Sequence, residues 1–116
     1  MPKKVMVIAA HPDDEALGCG GTLAALAKTG AEIETIFLCD GVAARGPQED
    51  SSGRRQAAQK ALRILGWRPP TFHEFPDNRL DSVPLLDVIK TLESAVDEFR
   101  PEWVFTHHPS DLNIDH

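Results

Sequence analysis

The stretch Val5-Met6-Val7-Ile8-Ala9-Ala10-His11-Pro12-Asp13-Asp14-Glu15 decides how this chain folds. Its first six residues are apolar without alternation, the pattern of a strand buried on both faces of a parallel sheet. The run stops abruptly in an imidazole, a proline and three acids. Ala16 to Lys28 follows, with Leu17, Leu23, Leu26 and Ala27 at helical spacing and Gly30 as a closing C′ residue. A buried strand, a polar turn and a helix in that order open a βαβ unit.

The same alternation continues outward. Glu32 to Leu38 reads as a second strand, and a polar stretch from Asp40 to Gly53 follows it, too long for a routine connection and therefore a candidate functional loop. Arg54 to Leu65 resumes helical spacing through Ala57, Ala61, Leu62 and Leu65, and Gly66 stops it. Thr71 to Phe75 is a short strand. After the turn-like Pro76-Asp77-Asn78, a helix spans about Pro84 to Phe99, with an apolar face of Leu85, Leu86, Ile89, Leu92, Val96 and Phe99. Trp103 to Thr106 is a fourth strand, and Trp67 and Trp103 read as core. The order βαβαβαβ implies a Rossmann-like three-layer α/β sandwich with a mainly parallel sheet and right-handed crossovers. Residues 1–116 form one domain. With a strand order of 3-2-1-4, strands one and four become neighbours, and ligands bind beyond their carboxyl ends at that switch point.

Composition narrows the functional classes. Eighteen acidic residues against 12 basic ones give a formal net charge of −6, without the clustered basic face that a nucleic-acid partner needs. No segment approaches the roughly 18 apolar residues of a membrane span, and the run after Lys3 and Lys4 is too short for a secretory core. A cytoplasmic protein is expected. Cys19 and Cys39 lack metal-knot spacing and read as small buried fillers. Gly20 and Gly21 do not form a dinucleotide fingerprint. His73, inside a strand, reads as packing or surface.

The chemistry gathers at two strand ends. His11 and Asp14 sit on one tight turn and can share a metal ion, while Asp13 between them can be aimed at a metal-activated water as general base. Glu15 reads as a helix-end acid. The second cluster, Thr106-His107-His108-Pro109-Ser110-Asp111-Leu112-Asn113-Ile114-Asp115-His116, follows strand four. His116 is its best third ligand, with Asp115 or Asp111 as a carboxylate that orients an imidazole. Arg54, Arg55 and Asp77 fall on the same sheet edge, where Arg suits anionic groups and sugar hydroxyls.

Ala10-His11-Pro12-Asp13-Asp14-Glu15 followed by Gly18-Cys19-Gly20-Gly21 resembles the first signature of the PIG-L/LmbE family of zinc-dependent N-acetylglucosamine deacetylases. His107 to His116 resembles the second, which ends in Asp-His. The resemblance covers the whole chain but only the N-terminal part of the family domain. It implies His11, Asp14 and His116 as ligands to zinc or another divalent ion such as Fe2+, and Asp13 as general base. It also implies hydrolysis of an N-acetyl group from an amino-sugar conjugate, releasing acetate. Many family members carry His where this chain has Asn113. Asn113 can donate to an oxyanion but cannot act as an acid, so either His107 or His108 substitutes, Asp13 carries the proton both ways, or catalysis is slower. The chain stops at His116, and chain ends fray unless tied down. The sequence therefore leaves open an inactive metal-binding or oligomerising fragment, in which the exposed edge of strand four pairs with another copy. An amide hydrolase acting on a thiol–sugar conjugate would use the same residues.

Overall fold

The computed structural model describes residues 2–11, 14–39, 51–76, 79–108 and 110, with the backbone alone at 14–17, 51, 52 and 54. The elements are β1 (Lys4–Ala9), α1 (Asp14–Lys28), β2 (Glu32–Cys39), α2 (Ser51–Ile64), β3 (Thr71–Phe75), α3 (Leu85–Phe99) and β4 (Trp103–Phe105). A single 3-10 turn over Leu80–Ser82 precedes α3. The four strands form a sheet in the order β3-β2-β1-β4. Every pairing is parallel: Val7 lies opposite Thr35 in β2 and opposite Phe105 in β4. The switch point therefore falls between β1 and β4, as the alternation of elements implied.

Strand periodicity divides the core into two layers. Val5, Val7, Ala9, Ile33 and Phe37 face α1 and α2, where they meet Leu23, Leu26, Ala58 and Leu62. Met6, Ile36 and Leu38 face the opposite way, against Phe99 with Val88, Leu92 and Val96 of α3. With both faces covered, β1 has no use for a polar alternation, which explains its continuous apolar run, and β2 is unbroken apolar only from Ile36 to Cys39. Gly30 and Gly66 end α1 and α2 with φ of 95° and 80°, the left-handed region where a side chain is strained. Among the described residues no helix is long and apolar enough to cross a membrane.

Three readings of the sequence need correction. α2 begins at Ser51; of its expected face Leu62 is buried and Leu65 packs against the core, but Ala58 is buried where Ala57 was expected and Ala57 is exposed. Trp67 is core, but Trp103 is 48% exposed because β4 forms an edge of the sheet. The apolar face of α3 is also wider than the surface it covers, so Leu85 stays 73% exposed and Leu86 57%.

Candidate active site

β1 pairs with β4 by backbone only as far as Val7 and Phe105. Beyond that point side chains from the β4 loop take over. The Thr106 hydroxyl donates to the Ile8 carbonyl at 2.9 Å, and the Ala10 N–H donates to Nε2 of His107 at 3.0 Å. On its other side the Ala10 carbonyl accepts from the Cys39 N–H of β2 at 2.7 Å. His11 follows directly and is half-buried. The strands thus part at their carboxyl ends while staying tied across the gap.

Two clefts flank this tie. One of about 490 Å³ lies on the α1 side, lined by Gly18, Cys19 and Thr22 together with Thr106, His107 and His108. The other, of about 390 Å³ on the α3 side, is lined by Leu80, Val83, Leu85 and Leu92 as well as Thr106 and His107. The exposed His108 accepts the Ser110 N–H at Nδ1, 3.0 Å away, which leaves Nε2 as its other ring nitrogen.

Asp14 opens α1. Asp13, Asp77, Asp111, Asn113, Asp115 and His116 lie outside the described residues, as does the side chain of Arg54. Arg55 is engaged towards β3, where its guanidinium pairs with Glu74 at 2.9 Å and lies over the Phe72 ring at 5.2 Å. Among the described residues no three His, Cys, Asp or Glu side chains are gathered closely enough to hold a metal. The expected donors still fit one chemically: two imidazoles and a carboxylate suit a catalytic zinc with an open fourth position. Titrations shifted by burial, Glu34 upward and His73 downward, belong to a separate cavity between the sheet and the second half of α3. The tying role of Thr106 and His107 was not legible in the sequence; two polar residues directly after a strand were the only hint.

Residues 6–116 match the family described as PIG-L, GlcNAc-PI de-N-acetylase. The chain belongs to the PIG-L family. It is 34% identical to the Escherichia coli protein named uncharacterized deacetylase YaiS, over 98% of this chain and 62% of that one. N,N'-diacetylchitobiose deacetylase from Pyrococcus horikoshii superposes with a TM-score of 0.85 at 28% identity, covering 99% of this chain and 45% of that one. GalB, the 4-carboxy-2-hydroxymuconate hydratase of Pseudomonas putida, superposes with a TM-score of 0.82 at 26% identity, covering 98% and 51%. This PIG-L chain therefore spans roughly half the length of these relatives.

Proposed function

We propose that the chain carries the catalytic end of a metal-dependent N-deacetylase, which removes an acetyl group from an N-acetylglucosamine-type conjugate and releases acetate. The observation that carries this reading is the parting of β1 and β4. His11 leaves one side of the gap and His107 and His108 leave the other, so the two polar clusters start from one place. Family membership and the name of the Pyrococcus relative support the substrate class.

In this reading His11, Asp14 and His116 hold the ion, zinc before Fe2+. The ion supplies polarisation of the amide carbonyl and acidification of the attacking water. Asp13 takes the proton of that water. Asn113 donates a hydrogen bond to the developing oxyanion. His108 holds a proton for the leaving amine at Nε2, the nitrogen that its contact with Ser110 leaves over. Asp111 and Asp115 orient an imidazole. Arg54, Arg55 and Asp77 contact the sugar, and Arg55 exchanges its exposed Glu74 partner for a hydroxyl to do so. The reaction is placed in the cytoplasm, and a second copy is proposed to cover the outer edge of β4.

The test is metal content together with acetate release from N-acetylglucosaminides and a thiol–sugar amide. Asp13→Ala is expected to lower turnover about 10²–10⁴-fold with the metal retained. Stoichiometric zinc without acetate release would overturn the enzyme reading in favour of a metal-binding fragment. The GalB superposition favours one second reading, addition of water to an activated double bond by the same general base, because one scaffold hosts several chemistries. Turnover of an enoic acid in place of the acetamide would select it.

A further inference from the structure

We propose that His107 is a positioning residue for His11, and that it acts through the backbone of Ala10. The inference rests on the metal-site reading above and extends it to a residue with no place in the ligand set. Two peptide planes meet at the Cα of Ala10. The preceding plane carries the Ala10 N–H, which His107 Nε2 accepts at 3.0 Å. The following plane carries the Ala10 carbonyl, which the Cys39 N–H holds at 2.7 Å. With both planes fixed, the two backbone torsions of Ala10 are fixed, and they place the Cα of His11. β2 supplies one tie from its backbone. β4 has already stopped pairing at Phe105 and supplies the other through a side chain from 97 residues away.

This bond also settles what His107 does not do. A ring nitrogen that accepts from an amide carries no proton, so Nε2 is not the donor for the leaving group. The imidazole instead takes the place of the missing rung of the sheet, and it is long enough to do so without closing the gap. Ala10 is fully buried, so its N–H has no water to turn to when the imidazole is removed.

His107→Gln and His107→Met form the deciding pair, because the two side chains are alike in size and only Gln offers a strong acceptor. Amide hydrogen exchange at Ala10 in the metal-free protein reads the clamp, and zinc affinity measured against a chelator reads its effect on His11. His107→Met is expected to speed Ala10 exchange and to weaken zinc binding about 10-fold or more, the size of loss seen when groups supporting a metal ligand are removed. His107→Gln is expected to restore both, and to melt above the Met variant, which leaves the buried Ala10 N–H without an acceptor. Parent-like exchange and parent-like zinc affinity in His107→Met would overturn the proposal. His11→Ala separates the two levels. Loss of zinc in His11→Ala beside full affinity in His107→Met rejects the role of His107 alone, whereas full affinity in His11→Ala rejects the metal reading itself.

Discussion

Thr35 is wholly buried in the middle of β2, and its hydroxyl has no hydrogen-bond partner among the described residues. It faces the α1 and α2 layer between Ile33 and Phe37, and its register partner in β1 is the apolar Val7. An unpaired buried hydroxyl costs about 1–3 kcal/mol, and valine has the same branched shape without it. Thr35→Val is therefore expected to raise stability by about 1 kcal/mol or more on chemical denaturation. A loss instead would mean that the hydroxyl has a partner after all. At the site, one residue was legible by type and another only by position. His11 stands out because nothing in helix capping calls for an imidazole there. His107 looked interchangeable with His108 in the sequence. The structure separates them: one accepts from Ala10 across the gap, the other from Ser110 in its own loop. No pattern in a single chain encodes that difference, since it depends on where β4 stops pairing with β1.

At the scale of elements, α1 runs straight through Gly18, Gly20 and Gly21. A phosphate-binding turn is thereby removed from consideration, because these glycines lie in the helix interior. Gly21 is exposed, has no positive φ, and an added Cβ there would meet nothing within 4 Å. Gly21→Ala is expected to stabilise the chain by about 0.5–1 kcal/mol, read as a higher melting temperature. Gly30→Ala, at φ 95°, is the contrasting case and should lower it. β1 was legible because burial on both faces leaves an unbroken apolar run, and β3, though it carries His73 and Glu74, falls on the expected Thr71–Phe75. In α2 the leucines Leu62 and Leu65 mark the packed face in the sequence, but adjacent alanines are equivalent there and only contact with the core selects Ala58 over Ala57.

At the scale of the whole molecule, burial is uneven. β1 and β2 are enclosed, whereas β4, the outermost strand on its side, leaves both Trp103 and Val104 48% exposed. Those two residues point to opposite faces, so the edge is apolar above and below. Natural sheets rarely leave such an edge bare. The proposed occupant is a second copy. Sedimentation equilibrium is then expected to give a dimer, and Val104→Lys a monomer of unchanged helical content. A parent chain that stays monomeric at high concentration would reject the self-pairing.

The join between β1 and β4 has one more consequence, and it concerns how such a pocket can change over generations. A backbone rung is the same whatever residue makes it, so no point substitution can lengthen or shorten it. The last two rungs here are a threonine hydroxyl and a histidine ring. Point substitutions at Thr106 or His107 can therefore change how the opening is tied while the backbone pairing beneath it stays as it is.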